Sequence, residues 1–415
     1  MGIEGRIVGD GAEGTAPGNR EVADKARRGA GKAAADVPSA RRTEKNRKGR
    51  EYMNHMMENT WDREWVRETE KRVNARMMDM KNTGMEEKFP VSLIDMDCWE
   101  WPQGVGLYGM YRNYQMEKDP RVLEFLTAWF DRKIAEGGME RNVNTTAPML
   151  TLTYLYEITG KETYRRFVED WVQWMMDETG LLRAGEGCFQ HMITGDPNDG
   201  EILIDTLFMA VFFLARAGKI LGREELVREA DYQILNHIRF LLNRETGLFC
   251  HGWNFRGNHN YGKVLWGRGN GWYTMGIMEY LEQMGTGDPL RRYFLSVFVC
   301  QARALKEYQD SETGLWHTVI DNPHTYLETS ASAAFLAGIM KGVRLGYLDR
   351  EEFEPVIRRG IPGVLGKISE DGTVEGVSYG TPIGWNAEFY NEIVCCPITY
   401  GQAMTILLLQ EIRLL

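Results

Sequence analysis

The sequence predicts an all-α fold, a closed (α/α)6 barrel of helical hairpins with a disordered N-terminal tail. From about residue 58 to the end, apolar residues recur at spacings of three and four, the period of amphipathic helices. A four-residue tag, Glu-Thr-Gly-Leu, also repeats at a constant interval, which indicates stacked copies of one supersecondary unit. Strand-like alternation is confined to short pieces such as residues 372–378.

The helical stretches have clear examples at residues 61–80, 121–136, 148–159, 162–178, 204–221 and 224–245. Leu152, Leu155 and Tyr156 share one face of such a helix. A stripe of this kind predicts core packing rather than a binding site, because it is the surface a helix buries against its neighbours.

The repeated tag occupies residues 178–181, 245–248 and 312–315, at two intervals of 67 residues, and a degenerate copy follows at 370–373. Its glycine is expected to be a left-handed helix C-cap. Each of the first three copies precedes a loop with aromatic, His or Cys residues. About five to six hairpins fit residues 58–415, so we favour closure into a ring over an open solenoid, with these loops at one mouth.

Residues 1–57 are predicted to be a disordered basic tail or linker, and residues 58–415 a single barrel domain. The first 50 residues lack Trp, Tyr and Phe and carry twelve Lys or Arg against seven Asp or Glu. A segment that cannot bury apolar area stays unfolded.

Charge and cysteine usage restrict the partners and the compartment. The net charge of −10 argues against nucleic acid and against anionic membrane surfaces. No apolar run is long enough to span a bilayer, and the amino terminus lacks the apolar core of a secretory signal. The six cysteines are scattered without a CxxC pair, as in proteins of a reducing cytosol, so we expect a cytoplasmic protein. Nothing in the sequence indicates the oligomeric state.

The most specialised segment is WGRGNGW, residues 266–272. Its glycines allow a ligand to approach the backbone closely. Flat aromatic faces and a planar cation suit a ring that carries hydroxyls and a carboxylate, as a uronic acid does. The alternative is a glycine-rich turn between helices with both indoles in the core. The alternation of glycines with these bulky side chains favours a binding site formed by Trp266, Arg268 and Trp272.

Asp205 stands at the start of a strongly apolar helix. It is either an N-cap or a general acid whose pKa burial has raised. A helix N-terminus acts on the pKa in the opposite direction, so the sequence leaves the direction open.

Three histidines, His191, His251 and His317, follow successive tags and are expected to line one pocket. A three-His metal site is disfavoured, because no pair at i, i+4 and no HExxH motif is present. We therefore predict neither a metal nor a cofactor. Asn144 opens another helix, where capping explains it, and Trp101 fits core packing and sugar stacking equally well.

In these segments the chain resembles glycoside hydrolase family 105, the unsaturated rhamnogalacturonyl hydrolases, and more distantly the unsaturated glucuronyl hydrolases of family 88. The matching segments are WEWPQGVGLYGMY (99–111), NTTAPMLTLTYLYEITG (144–160), DTLFMAVFFLARAG (205–218), HGWN (251–254), WGRGNGW (266–272) and YGQAM (400–404).

The resemblance implies an (α/α)6 barrel that releases a 4,5-unsaturated uronic acid from the non-reducing end of lyase-generated oligosaccharides. One aspartate protonates C4 of the double bond and then deprotonates the water that adds at C5. The motifs place Asp205 on that acid/base, Trp266, Arg268 and Trp272 on substrate-stacking and carboxylate-binding positions, and His191 and His251 in the pocket. We assign Asn144 and Trp101 to substrate binding as well.

The chain departs from the family pattern at one place. Many relatives have a second pocket aspartate near the segment that holds Asn142 and Asn144 here. Two alternatives stay open: a non-catalytic carbohydrate-binding barrel, which this departure favours, and another (α/α)6 sugar enzyme such as an epimerase, for which His191 and His251 could form the paired histidines.

Overall fold

The computed structural model describes residues 62–81, 94–192 and 198–415. The predicted tail, residues 1–57, lies outside the described residues. Within them the helices are α1 Arg63–Met78, α2 Trp101–Glu117, α3 Pro120–Glu136, α4 Ala147–Thr159, α5 Glu162–Met176, α6 Phe212–Leu221, α7 Glu224–Leu241, α8 Gly267–Gln283, α9 Pro289–Glu307, α10 Thr329–Arg344, α11 Arg350–Leu365, α12 Ala387–Asn391 and α13 Thr399–Leu414.

Six of these helices form a closed inner ring. Helices α2, α4, α6, α8, α10 and α13 each pack against the next, and α13 packs against α2 to complete the circle. Behind them lie the outer helices α3, α5, α7, α9, α11 and α1. The predicted (α/α)6 barrel is confirmed, and the predicted helices agree with the observed ones to within a few residues at most ends.

Burial explains why the two rings differ in sequence. Inner helix α8 is buried nearly all round, so polar side chains on it must find partners inside the protein. Outer helix α5 is amphipathic and buries Tyr164, Val168, Trp171 and Met175, which follow one another at spacings of three and four.

Two short antiparallel strand pairs lie in the loops at the end where the inner helices begin. Strand β1, Glu201–Leu203, pairs with β2, Gly252–Asn254, and β3, Trp316–His317, pairs with β4, Leu327–Glu328. The β1–β2 pair joins the loop before α6 to the loop before α8, whereas β3 and β4 lie in the single loop between α9 and α10. No helix in the described residues combines the length and the apolar character needed to cross a membrane.

The repeated tags do not cap helices as the sequence analysis expected. The outer helices α5, α7, α9 and α11 end at residues 176, 241, 307 and 365, before the tag glycines. Gly247 and Gly314 take φ of +79° and +74°, and their amides donate to the carbonyls of Asn243 and Asp310. Gly180 does not adopt a positive φ. The tags are therefore tight turns that follow the outer helices.

The segment 266–272 is helical rather than a turn, since α8 begins at Gly267. Its glycines serve close packing. A Cβ on Gly269 would come within 2.8 Å of the Trp266 ring and 2.9 Å of Ile204. The glycines at the start of α8 therefore allow close contact with neighbouring elements, and the expectation that they serve the approach of a ligand is wrong.

A network of buried charges closes the opposite end of the barrel. Glu279 accepts hydrogen bonds from Arg112, from Tyr108 and, at 2.6 Å, from Lys341. Arg112, Glu279 and Lys341 lie in the second halves of inner helices, and Tyr108 lies near the middle of α2. An open pocket on the barrel axis is therefore expected only at the end where the inner helices begin.

Candidate active site

Asp205 lies between strand β1 and inner helix α6. The amide of Ile204 donates to the carbonyl of His251 at 3.0 Å, which joins this segment to β2. After Asp205 the chain enters a single turn of π-helix, Leu207–Val211, that leads into α6. Turns of this type are frequent at functional sites, because they reorient a side chain at a helix start. The Asp205 side chain is 13% exposed.

Two neighbours hold the Asp205 carboxylate, one on each oxygen. The indole Nε1 of Trp272 donates to Oδ1 at 2.9 Å. The Nε2 of His251 lies 3.4 Å from Oδ2. The carboxylate points at these groups and not at the backbone amides of its own helix. The N-cap interpretation of Asp205 is therefore wrong.

A tyrosine determines which nitrogen of His251 carries the proton. The Tyr390 hydroxyl lies 2.6 Å from Nδ1 of His251 and accepts from the Gly384 amide at 3.0 Å. Since that amide can only donate, the hydroxyl hydrogen is left for His251 Nδ1. This assigns the proton of a neutral His251 to Nε2, the nitrogen that faces Asp205.

The surroundings of Asp205 keep its pKa below the ordinary value. Burial raises the pKa of this carboxyl, but the adjacent His251, together with His191 and Arg268, outweighs burial. The direction that the sequence left open is therefore downward, and Asp205 is ionised at neutral pH in the free protein.

His191 also lies near Asp205 and is neutral. Burial lowers its pKa to about 4. Its Nδ1 is 3.0 Å from the hydroxyl of Thr206, the residue after Asp205. His317, by contrast, directs its Nδ1 to the carbonyl of Thr325 in its own loop. Two of the three histidines expected in one pocket thus act on the Asp205 carboxylate.

The ring of Trp266 packs between His251 and Arg268. The centroids of Trp266 and His251 are 4.2 Å apart, and the Arg268 guanidinium carbon is 4.6 Å from the Trp266 ring. Trp266 is only 1% exposed. Its Nε1 has no hydrogen-bond partner within the described residues. A buried N–H group without a partner in the protein can be satisfied by a bound ligand or an ordered water molecule.

The Arg268 guanidinium is used inside the protein rather than held open as a carboxylate clamp. It donates to the carbonyls of Ser378 and Tyr379, at 2.9 and 3.1 Å, and to the Thr381 hydroxyl at 2.9 Å. The clamp expected from the sequence is therefore occupied in this structure. Of its nitrogens, Nε is left without a hydrogen-bond partner in the described part of the chain.

The other predicted ligand-binding indole, Trp101, belongs to the same cluster. It stacks on Tyr400 at 4.8 Å and meets the edge of Trp272 at 6.2 Å. Tyr400 covers the second face of Arg268, at 4.7 Å. Trp101 is half-buried, whereas Trp272 is fully buried. Trp272 thus meets Asp205 through its N–H group, and the sugar-stacking role expected for it has no exposed face here.

The two asparagines before α4 differ in position: Asn142 stabilises a turn, and Asn144 lies near the candidate site. Asn142 accepts from the Thr145 amide at 2.9 Å, and its carbonyl accepts from the Thr146 hydroxyl at 2.7 Å. These bonds form the turn before α4. Asn144 starts a short 3-10 helix, Asn144–Thr146, that packs against the π-helical turn after Asp205.

Sequence reasoning did not identify three residues that complete this cluster. Tyr390 and Ser378 lie in the segment between α11 and α13 and carry no motif. Only Tyr400 had a signal, as part of the quoted segment YGQAM. In the described ranges, no group of three or more His, Cys, Asp or Glu is arranged to hold a metal ion.

Comparisons with known proteins identify the family and the fold. The sequence model of Glycosyl Hydrolase Family 88 matches residues 69–415. The unsaturated rhamnogalacturonyl hydrolase YesR of Bacillus subtilis (strain 168) is 28% identical over 340 residues, 80% of this chain and 95% of its own length.

Two crystal structures share the fold at higher identity. Both are of possible members of family GH105, from Klebsiella pneumoniae and Salmonella enterica, and both are 39% identical to this chain. Their TM-scores are 0.80 and 0.81, and the match covers 85% of this chain and 94% and 95% of theirs. The resemblance drawn from the sequence is confirmed.

Proposed function

The chain belongs to glycosyl hydrolase family 88, and we propose that it releases a 4,5-unsaturated uronic acid from the non-reducing end of lyase-generated oligosaccharides of the unsaturated rhamnogalacturonan type. YesR, with which it aligns over most of its length, is an unsaturated rhamnogalacturonyl hydrolase. The observation that carries the proposal is the largely buried carboxylate of Asp205, which accepts a hydrogen bond from Trp272 and lies beside His251.

The charges around Asp205 support one carboxylate doing both proton transfers. The groups that act most strongly on it are His251, His191 and Arg268, and no second carboxylate is among them. Glycosidases that cleave saturated sugars use two carboxyl groups on opposite sides of the bond. Hydration of a C4–C5 double bond needs one group, which gives a proton to C4 and then takes one from the water that adds at C5.

Asp205 must become protonated when the substrate binds, because it supplies the proton for C4. Asp205 is ionised in the free protein, because its neighbours lower its pKa. A uronate carboxylate that enters the site adds a like charge and excludes water, and both effects raise the pKa of Asp205. Asp205 thus takes up a proton on binding and gives it to C4. The hemiketal formed at C5 then rearranges and releases the remaining sugar.

The remaining site residues receive roles that follow from their contacts. Trp272 orients Oδ1 of Asp205, and His251 stabilises the carboxylate from the other side. His191 contacts Thr206, and Asn144 lies in the 3-10 turn that packs against the π-helical turn after Asp205, so both lie beside the start of α6. Trp266 and Arg268 support the site from within, since Trp266 packs on His251 and Arg268 packs on Trp266, and the half-buried Trp101 stacks on Tyr400 in the same cluster.

The test is loss of the ultraviolet absorbance of the C4–C5 double bond. Asp205→Asn should lower kcat by at least about a thousandfold, since the amide cannot transfer a proton. Asp199→Asn is the matched control, because Asp199 is exposed on the same segment and pairs with Arg256. Wild-type turnover in Asp205→Asn would remove Asp205 as the catalyst.

We further propose that the protein acts in the cytoplasm, on small oligosaccharides rather than on nucleic acid. None of the six cysteines, all of which lie in the described residues, forms a disulfide, and Cys188, Cys250 and Cys396 are buried. Thiols outside disulfides are usual in a reducing compartment. Cell fractionation with an antibody against the chain tests this location, and recovery of the protein in the external medium would contradict it.

A further inference from the structure

Trp385 is the most exposed large apolar residue of the described chain, at 60%. A single exposed aromatic residue is ordinary on protein surfaces and needs no function. Trp385 differs from that case in two respects. Its backbone is fixed on both sides, and the loop that carries it is hydrogen-bonded to two members of the candidate active site.

On one side, the backbone next to Trp385 is hydrogen-bonded to residues of the candidate active site. The Gly384 amide donates to the Tyr390 hydroxyl, which contacts His251, the neighbour of Asp205. Further back in the same loop, Thr381 accepts from Arg268. The loop at residues 381–386 is therefore hydrogen-bonded to two residues of the candidate site, and it carries Trp385 with its indole exposed.

On the other side, Trp385 packs against residues 261–263, a segment with strained backbone. Tyr261 and Lys263 take φ of +53° and +57°, a conformation that non-glycine residues rarely adopt. Gly262, between them, passes so close to Trp385 that a Cβ there would lie 1.8 Å from the Trp385 carbonyl oxygen. Strain of this kind concentrates at ligand-binding sites, where the surrounding structure holds it in place.

Two rings support the exposed indole from behind. The Trp385 ring centroid lies 4.8 Å from that of His259 and 5.1 Å from that of Tyr261. Tyr261 is buried and hydrogen-bonds to Glu201 of β1. The indole is thus held in one orientation before any ligand arrives, which lowers the entropy cost of binding.

We propose that Trp385, supported by His259 and Tyr261, is a stacking subsite for a sugar of the aglycone, beyond the unit bonded to the unsaturated uronide. The proposal rests on the proposed function, since the uronide then occupies the Asp205 pocket and the rest of the chain extends outward. A rigid, exposed aromatic face matches the apolar face of a pyranose ring. The ammonium of Lys263, next to Gly262, is exposed and favours acidic sugars in that chain.

Another depression at this end of the barrel is less suited to an acidic saccharide. It has a volume of about 220 Å³ and is lined by Trp99 and by Glu100, Glu136 and Glu140, with Lys133 the one basic residue. Lys133 is already paired with Glu136 at 2.7 Å. The excess negative charge there would repel a uronate.

The experiment compares kcat/KM for unsaturated oligosaccharides of two and four sugars. Trp385→Ala should lower the ratio of the four-sugar to the two-sugar value by about tenfold, the size of one lost aromatic contact. Trp385→Phe keeps an aromatic face and should restore most of the ratio. Tyr293→Ala, which removes an aromatic residue 44% exposed on α9, is the control and should leave the ratio unchanged.

An equal effect of Trp385→Ala on both lengths, or no effect on either, overturns the subsite. A second measurement separates this from failure of the proposed function. Calorimetric titration of saturated uronate–rhamnose tetrasaccharide should show weaker binding to Trp385→Ala than to wild type, whether or not wild type consumes the unsaturated substrate. Equal affinities in that titration also overturn the subsite.

Discussion

The indole nitrogen of Trp272 donates a hydrogen bond of 2.9 Å to Oδ1 of Asp205. The tryptophan lies on the sixth residue of α8, and the aspartate lies just before the π-helical turn that leads into α6. Two neighbouring inner helices thus meet through this bond. Trp272 therefore fixes the orientation of the carboxylate that we propose as the catalyst.

Trp272→Phe tests this relationship, because phenylalanine fills much of the same space but has no N–H group. We expect kcat to fall by about 10- to 100-fold, the size of a lost hydrogen bond to a charged group. Trp316→Phe is the matched control, since the buried Trp316 donates to the Leu305 carbonyl away from the site. Steady-state kinetics check both variants. Equal losses in the two would indicate a general packing defect.

Arg268→Lys is expected to lower kcat/KM by at least about a hundredfold and to destabilise the fold. A lysine cannot reach Ser378, Tyr379 and Thr381 together, and the planar fork between Trp266 and Tyr400 is lost. Arg216→Lys is the control. Arg216 lies in the middle of α6, stacks on Tyr154 and pairs with Glu157, so stability should fall while kcat/KM is kept. Wild-type kcat/KM in Arg268→Lys would show that the guanidinium geometry is unimportant.

Glu279 predicts acid sensitivity of the fold. Burial raises its pKa, but Arg112 and Lys341 outweigh burial and lower it to about 2, from an ordinary value of 4.5. A folded-state pKa that is depressed means that the ionised form stabilises the fold fully above about 4.5 and loses that contribution as the pH falls towards 2. Denaturation by urea at a series of pH values measures this, with the free energy of unfolding decreasing through that window.

Glu279→Gln should reduce the free energy of unfolding at neutral pH by about 3–5 kcal/mol, because it leaves buried cations without a partner. It should also flatten the pH dependence between 4.5 and 2. Glu282→Gln is the control, since Glu282 pairs with the same Lys341 but is 42% exposed, and such pairs contribute little. Equal losses in both variants would contradict the role of the buried carboxylate.

The helical periodicity allowed the ring architecture to be predicted, because each hairpin buries a local stripe of apolar residues and such stripes are visible in sequence. The tag glycines were placed too early, in helix caps. Several turn conformations use the same residues, and only the hydrogen bonds of Gly247 and Gly314 distinguish them.

The candidate site was predictable only in part. Asp205, His251 and Trp272 stood out through their motifs, and the fold brings them into contact. The hydrogen bonds that engage the Arg268 guanidinium were not predictable, because its partners Ser378 and Thr381 follow more than a hundred residues later. Tyr390 was missed for the same reason, since a lone tyrosine has no local pattern that links it to His251.

The sequence by itself determined the class of fold, the family and the residue types available for chemistry, since these follow from local periodicity and short motifs. Only the tertiary structure decided how those residues are used. Burial and the neighbours of Asp205 have opposite effects on its pKa, and the outcome depends on distances between separate hairpins. The hydrogen-bond partners that occupy Arg268 and orient His251 likewise exist only when the ring has closed.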